Sequence, residues 1–346
     1  TSYEIGTEFR LFNNRLWGDF NYYTRDDKDQ IISVTSAPQS GYSTRKMNAG
    51  LIRNRGVELS LGGMPVSTKN WKWEMNFNIA KNSNKLVELA DGVDSYSIYW
   101  TSFTTRLYNY AMVGKSLGVI TGNTWERDDN GNIIFHELSA SQKALYGGEY
   151  VPTYNQNTLD ELGNFHPDFT GGFNTSISFK NFRLSANIDF SVGGQIVSYT
   201  NMWGSSSGIL DKTAELNDRG VNVREPVSKG GGIHMTGVDQ NGNKVDTYVN
   251  AKLYYTTASR VWEEWVYDRT YVKLREVSLS YVFPSQTLKK LNIGLSRASV
   301  AINASNPWLI YSACPNVDVS EIGMGYFEGG NAAATRSIGF TVNLAF

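Results

Sequence analysis

Aromatic side chains in long polar segments are the residues of this 346-residue sequence that are best suited to binding a ligand. Their flat faces stack on sugar rings or on peptide side chains, and ordering them costs little conformational entropy. The same side chains are also typical of a membrane interface or of a surface that packs against a partner protein. We single out six of them as candidate substrate contacts: Tyr99, Trp100, Trp125, Tyr154, Trp203 and Tyr254.

Residues 128–132, Asp-Asp-Asn-Gly-Asn, bring together the carboxylate and amide oxygens that Ca²⁺ prefers as ligands. Calcium loops space their acidic residues at alternate positions and add a bidentate glutamate later in the loop. Here the two acidic residues are adjacent, and Glu137 comes too early for the late position. A polar turn with Asn-Gly at its tip is the alternative. Asp128, Asp129 and Asn130 are therefore retained only as candidate calcium ligands, and no cofactor is expected.

Residues that could perform catalysis are sparse. Cys314 is the single cysteine, and none of the three histidines is near it in the sequence. Residues 262–265, Trp-Glu-Glu-Trp, could clamp a glycan or form the base of a loop. Glu263 and Glu264 do not suggest glycosidase chemistry, because adjacent residues on a strand point to opposite faces and the reaction needs two carboxyls across one cleft. We assign no catalytic residue and expect that the protein is not an enzyme.

Composition limits the class of protein. The 32 Lys and Arg nearly balance the 33 Asp and Glu, which argues against a nucleic-acid partner. Aromatic residues make up 13% of the chain, and 33 glycines stand against 8 prolines, as expected of many strands joined by tight turns. A β-sandwich or a propeller shares this composition. There is no run of about 18 apolar residues to predict a transmembrane helix, and the chain opens directly into alternating residues, as if within a domain.

Alternation of apolar and polar residues is the main structural signal. In the last segment, 338–346, apolar residues alternate with small or polar ones as far as Phe346. Segments 173–179 and 182–190 repeat the pattern on either side of a turn at 180–181. Similar segments occur at 5–11, 16–23, 57–61, 71–79, 277–283 and 291–303. The pattern predicts strands with one apolar face and one polar face.

Strand length and connection length favour a transmembrane barrel over a sandwich. Strands of about 10 residues suit a tilted membrane strand, and alternating short and long connections are typical of outer-membrane barrels. Short turns are predicted at 13–14, 62–69, 180–181 and 284–290. Long extracellular loops are predicted at 26–48, 81–99, 113–168, 193–268 and 305–335. The sequence therefore predicts an all-β fold, an antiparallel transmembrane β-barrel with long extracellular loops, to which this chain contributes about ten strands.

The order of several short motifs resembles the barrel of SusC/RagA-type TonB-linked outer-membrane transporters. The most specific match is 48–58, Asn-Ala-Gly-Leu-Ile-Arg-Asn-Arg-Gly-Val-Glu, against the family's N-x-G-x-I-x-N-x-G-x-E stretch. The acidic turn at 128–132 departs from the family, because it lacks the fuller alternating-acid form. Further matches follow in the family's order at 3–6, 15–23, 29–32, 71–87, 113–118, 167–172, 268–281 and 303–306. The resemblance spans the whole chain.

The resemblance implies a closed, plugged barrel of roughly 22 strands, of which residues 1–346 would form the C-terminal portion. It implies TonB-dependent import of an oligomeric nutrient, a glycan or a peptide, across the bacterial outer membrane. A SusD-like surface lipoprotein would form a lid, and outer-membrane lipid would surround the wall. The plug domain and the TonB box would lie before Thr1. Phe346 would be the terminal aromatic residue that the barrel-assembly machinery reads.

Two other functions share part of this pattern. A soluble extracellular glycan-binding β-protein would also carry alternating strands and loop aromatics, and it would need no detergent. A passive porin would share the barrel, but no plug domain would be encoded upstream.

Overall fold

The computed structural model describes residues 1–35, 44–48, 50–102, 105–291, 294–322, 326–332 and 334–346. Ala49 of the 48–58 motif, residues 292–293 of a predicted strand, and residues 36–43 and 323–325 of two predicted loops lie outside these ranges. No helix in the described ranges is long and apolar enough to cross a membrane. The strands are β1 (Ser2–Leu11), β2 (Leu16–Lys28), β3 (Ile31–Thr35), β4 (Thr44–Asn48), β5 (Leu51–Ser67), β6 (Trp71–Glu88), β7 (Ser95–Ser102), β8 (Arg106–Met112), β9 (Val119–Gly122), β10 (Ile134–Glu137), β11 (Tyr150–Pro152), β12 (Asp160–Asn164), β13 (Phe169–Phe179), β14 (Phe182–Val192), β15 (Gln195–Ser198), β16 (Ile233–Asp239), β17 (Lys244–Val249), β18 (Val266–Asp268), β19 (Tyr271–Val282), β20 (Arg297–Ser312), β21 (Phe327–Glu328) and β22 (Ser337–Ala345). The α-helices are α1 (Ala140–Tyr146), α2 (Tyr199–Ser206), α3 (Ala251–Ala258) and α4 (Ser285–Leu291).

Nine strands form one antiparallel sheet whose spatial order follows the chain: β1, β2, β5, β6, β13, β14, β19, β20 and β22. The sequence predicted about ten strands, one more than this sheet contains. Several strands are longer than predicted, up to the 18 residues of β6, because they continue into segments that were expected to be loops. Within the described residues, β1 and β22 each have a neighbour on one side only, so the sheet is open at both edges.

One face of this sheet is apolar from edge to edge. Residues opposite each other in an antiparallel pair lie on the same face of the sheet. Apolar residues on neighbouring strands therefore form rows across this face. One such row contains Ile177, Leu184, Leu279, Ile302 and Phe340. On β22, Phe340, Val342 and Leu344 are 67%, 51% and 54% exposed. A sandwich would cover these side chains with a second sheet, so their exposure favours the barrel over the sandwich.

The opposite face is polar. One row across five strands contains Gly62, Asn76, Asn174, Asn187 and Glu276. The Trp17 indole lies against Gly62, where a Cβ would come within 2.1 Å of the ring, so this contact requires glycine. A cavity of about 350 Å³ lies along the row. Apolar residues outside and polar residues inside are the arrangement of an outer-membrane barrel wall.

The connections are short at one end of the sheet and long at the other, as predicted. Residues 12–15, 68–70 and 180–181 join neighbouring strands at the short end. The turn predicted at 62–69 is shorter, because β5 continues to Ser67. The fourth short connection contains α4 instead of a polar turn, and β20 begins at Arg297 instead of 291. The helix forms because Leu288 buries its side chain, which a turn would leave exposed.

The long connections fold into an ordered layer, here called the loop layer, instead of irregular loops. It contains the sheets β12-β9-β8-β7, β11-β10-β16-β17 and β18-β15-β21. A single cluster of buried apolar side chains joins these small sheets to α2 and α3. The long loops predicted at 113–168 and 193–268 thus contain short strands and helices of their own. These segments bury apolar side chains against each other, although they are distant in the sequence.

Candidate ligand-binding site in the loop layer

A 3₁₀ helix, Trp262–Trp265, anchors the loop layer from within. Both of its tryptophan side chains are fully buried. Glu263 accepts two hydrogen bonds from Arg127, at 2.9 Å from Nη1 and 2.7 Å from Nη2, and a third from the backbone N–H of Trp125. This segment therefore belongs to the core of the loop layer. Its rings are closed to a glycan.

Three of the six candidate aromatics belong to this core. Trp125 and Tyr254 are 4% and 9% exposed, and their rings stack at 6.2 Å. Glu264 accepts hydrogen bonds from Trp125 Nε1 at 3.1 Å and from the Tyr254 hydroxyl at 2.7 Å. Burial, together with the Glu264 charge, raises the pKa of Tyr254 far above its ordinary value, so the hydroxyl remains a donor. Tyr154 packs against the same core opposite Trp125. Trp125 and Tyr254 present no open face to a ligand.

The other three candidates, Tyr99, Trp100 and Trp203, are exposed. Trp203, on α2, forms one wall of a groove of about 480 Å³, and Phe327 of β21 forms another. Tyr99 stacks on Phe327 with ring centroids 6.1 Å apart. Tyr99 therefore adjoins the groove through Phe327 but is not one of its lining residues. Trp100 lies apart from the groove, near Tyr108.

The groove is apolar. Its described lining residues carry no charged side chain: they are Tyr199, Thr200, Trp203, Gly204, Ser207, Ile209, Leu210, Phe327, Gly329 and Gly330. A concave surface of aromatic and aliphatic side chains suits an apolar group of a ligand. Sequence reasoning missed the residues of this groove other than Trp203. The apolar pair at 209–210, directly after Ser-Ser-Ser-Gly, was a usable signal, whereas Phe327 reaches the groove only through the pairing of β21 with β15.

A buried carboxylate fixes two walls of the groove. Glu328 accepts hydrogen bonds from the backbone N–H of Thr200 at 3.0 Å, from the Thr200 hydroxyl at 2.8 Å, and from the Ser198 hydroxyl. A charge removed from water is costly unless such donors surround it. Glu328 follows Phe327 directly, and Thr200 lies in the first turn of α2, the helix that carries Trp203. The hydrogen bonds therefore set the spacing of the two aromatic walls.

Cys314 lies behind this region and is buried. Its Sγ is 3.6 Å from Nδ2 of Asn201. Burial raises the pKa of the thiol to about 12. A thiol that stays protonated is a poor nucleophile, so this cysteine supports packing.

The candidate calcium segment forms a closed hydrogen-bonded turn. Asp128 Oδ1 accepts from the backbone N–H groups of Asn130 and Asn132 at 3.0 and 2.8 Å, and Oδ2 accepts from the Asn132 side chain at 3.0 Å. Donation by Asn132 holds the pKa of the Asp128 carboxyl below its usual range. Asp239 makes the same contacts in the turn 239–243. In the part of the chain that the structure describes, no group of three His, Cys, Asp or Glu is placed to hold a metal. The geometry is that of the polar turn.

A family model described as "TonB dependent receptor-like, beta-barrel" matches residues 1–195. TonB-dependent receptor P3 of Formosa agariphila is 28% identical over 323 residues, which cover 91% of this chain and 30% of that protein. TonB-dependent receptor SusC of Bacteroides thetaiotaomicron is 30% identical over 205 residues, which cover 57% of this chain and 19% of that protein. The chain thus spans a third or less of the length of these relatives.

Solved structures share the fold. The RagAB peptide importer in its "open-open" state has a TM-score of 0.72 and 18% identity, and the match covers all of this chain and 34% of that chain. The "closed-closed" state has a TM-score of 0.71 and 19% identity, and the match covers all of this chain and 35% of that chain. The predictions of an all-β barrel fold and of a TonB-linked receptor family are confirmed.

Proposed function

Because the chain belongs to the TonB-dependent receptor-like β-barrel family, we propose that it forms part of the wall and the extracellular loop layer of an outer-membrane importer. The continuous apolar face of the nine-stranded sheet, with a polar face behind it, is the observation that carries this proposal. Backbone groups at an open sheet edge cannot remain unpaired in lipid. Further strands therefore complete the wall, and a plug domain and a TonB box belong to the rest of the receptor, with residues 1–346 as its C-terminal portion.

The activity is import driven through TonB, and the substrate is an oligomeric nutrient, a glycan or a peptide. The polar face lines the passage. Trp203 contacts the ligand in the groove opposite Phe327, Tyr99 extends the aromatic surface beside Phe327, and Trp100 offers another exposed ring outside the groove. A glycan site places several hydrogen-bonding side chains beside its aromatic rings, whereas the described groove walls are mainly apolar and carry no charged or amide side chain. The groove therefore favours an apolar side chain of a peptide.

A SusD-like surface lipoprotein covers the loop layer in this proposal. Large apolar side chains remain exposed on the layer, among them Trp100, Ile209 and Leu216. Exposed apolar surface of this kind marks an interaction site. Phe346, which is 84% exposed after β22, serves as the barrel-assembly signal.

Uptake by the full-length receptor tests the proposed function. The receptor is placed in the outer membrane of cells that lack their own copy, and a labelled peptide mixture or oligosaccharide mixture is added. We expect accumulation that requires both TonB and an energised inner membrane. Equal uptake without TonB would indicate a passive porin, and a receptor that remains in the aqueous phase without detergent would indicate a soluble binding protein.

A further inference from the structure

One histidine of the loop layer holds a carboxylate at each ring nitrogen. His234, on β16, places Nδ1 2.8 Å from Oδ2 of Asp218 and Nε2 2.8 Å from Oδ1 of Asp246. Asp246 belongs to β17, the partner strand of the same hairpin. Asp218 lies in a separate connection, the segment 215–222. A single imidazole thus joins two parts of the loop layer.

The Nε2 contact with Asp246 has hydrogen-bond geometry, and the Nδ1 contact with Asp218 is an ion pair when the ring carries two protons. A neutral imidazole donates from one nitrogen, and its other nitrogen presents a lone pair that a carboxylate oxygen repels. Tyr248 stacks on His234 at 4.8 Å and donates its hydroxyl to Asp218 at 2.6 Å. The Arg219 guanidinium lies 3.5 Å from the centre of the Tyr248 ring. With His234 protonated, two cations balance two carboxylates in this cluster.

The segment held by His234 leads into one wall of the groove. Asn217 ties the segment to the carbonyls of Gly230 and Gly232, at 2.8 and 3.1 Å. Arg224 donates to the carbonyls of Thr213 and Gly208 on the other side. Ile209 and Leu210, which line the groove, follow Gly208 directly.

We propose that His234 is a pH-sensitive clasp between the segment 215–222 and the β16–β17 hairpin. Imidazoles change charge between about pH 5 and 8. Donation by Tyr248 holds the pKa of the Asp218 carboxyl below its usual range, so this carboxylate stays charged throughout that interval. The clasp is closed while the ring carries two protons and opens when the ring loses one. Asp246 stays in place because strand pairing fixes it, and Asp218 keeps the hydrogen bond from Tyr248, so loss of the imidazole charge loosens the segment 215–222 without freeing it. The effect on ligand binding rests on the proposed function, but the clasp does not.

Hydrogen exchange of the full-length receptor in detergent tests the clasp without any ligand. Peptides covering 215–222 are compared at pH 6.0 and pH 8.5 after correction for intrinsic exchange. We expect exchange about two- to fivefold faster at the higher pH. The effect is small because ion pairs that are partly exposed to solvent contribute little stability. In His234→Gln the exchange should no longer depend on pH. His136→Gln, an exposed histidine on the neighbouring strand β10, is the matched control and should behave as the unmodified receptor.

Two results would overturn the clasp. One is exchange in 215–222 that does not depend on pH in the unmodified receptor, and the other is pH dependence that persists in His234→Gln. Peptides covering the buried 3₁₀ helix 262–265 report whether a variant has lost the loop layer as a whole. If His234→Gln unfolds the loop layer, Asp246→Asn provides the test of the clasp. This variant retains the imidazole but removes the charge of one of its partners, so the pH dependence should be weaker. Transport plays no part in this measurement, so a failed uptake assay would not affect it.

Discussion

Glu264 shows how one side chain can serve two distant segments. Its two carboxylate oxygens accept separately from Trp125 and Tyr254. Both donors are buried, and a buried donor without an acceptor costs about 1–3 kcal/mol. From the sequence, Trp125 and Tyr254 were candidate ligand contacts. The sequence does not show which aromatic residues of the loops hydrogen-bond to a distant carboxylate and become buried. Of the six candidates, Tyr99, Trp100 and Trp203 are exposed.

Trp203→Ala should weaken ligand binding. The indole forms a wall of the groove, and an aromatic contact contributes about 0.5–1.5 kcal/mol beyond its buried area. We expect about a two- to tenfold loss of affinity for the imported ligand, measured by titration of the purified full-length receptor. Leu145→Ala, an exposed apolar residue on α1 outside the groove, is the control. Equal affinity of Trp203→Ala and Leu145→Ala would show that the groove does not bind the ligand.

The elements of the wall were predictable and those of the loop layer were not. Wall strands repeat one local rule, an apolar residue at every second position, so segments such as 182–190 and 338–346 were found from the sequence. Strands of the loop layer, such as β9 and β15, have only four residues each and are wholly or largely buried. Burial on both faces removes the alternation, and their partners come from distant segments. The groove depends on these pairings, so the sequence supplied one of its aromatic residues, Trp203, but not the residues that lie beside it.

A buried lysine ties the last long connection to the wall. Lys273 of β19 places Nζ 2.7 Å from Oδ2 of Asp318 and 2.8 Å from Oε1 of Glu321. Lys273→Met should free this connection, because removing one partner of a buried ion pair costs on the order of 3 kcal/mol. We expect faster hydrogen exchange in peptides covering 313–322. Lys72→Met, which breaks an exposed pair with Glu74, should leave those peptides unchanged.

The same tether should weaken in acid. The hydrogen bond from Lys273 lowers the pKa of Glu321 in the folded chain. A carboxyl with a lowered folded pKa stabilises the structure above its unfolded pKa, and that stabilisation is lost as the pH falls through the folded value. The connection 313–322 should stay protected at pH 5 and lose protection below about pH 4. Protection that is constant between pH 5 and pH 3 would contradict the role of Glu321.

At the scale of the whole molecule, the face of the sheet on which a residue lies determines which substitutions that position tolerates. Leu279→Arg places a charge on the apolar face, where it costs about 2–4 kcal/mol at the membrane midplane. Ser278→Arg places the same charge one residue away on the polar face, opposite Ser185 and Asn303. We expect less assembled receptor in the outer membrane for Leu279→Arg and near-normal amounts for Ser278→Arg. Equal assembly of both variants would contradict a lipid-facing Leu279.

The most direct test of the membrane wall is a nitroxide scan along β14 of the full-length receptor in lipid, on a Cys314→Ser background. Single cysteines from 183 to 189 are labelled, and collision rates with oxygen and with a water-soluble nickel complex are measured by electron paramagnetic resonance. We predict that labels at 184, 186 and 188 favour oxygen and that labels at 183, 185, 187 and 189 favour nickel. Uniform values along the strand, or nickel access at the even positions, would contradict a sheet with hydrocarbon on one side and water on the other.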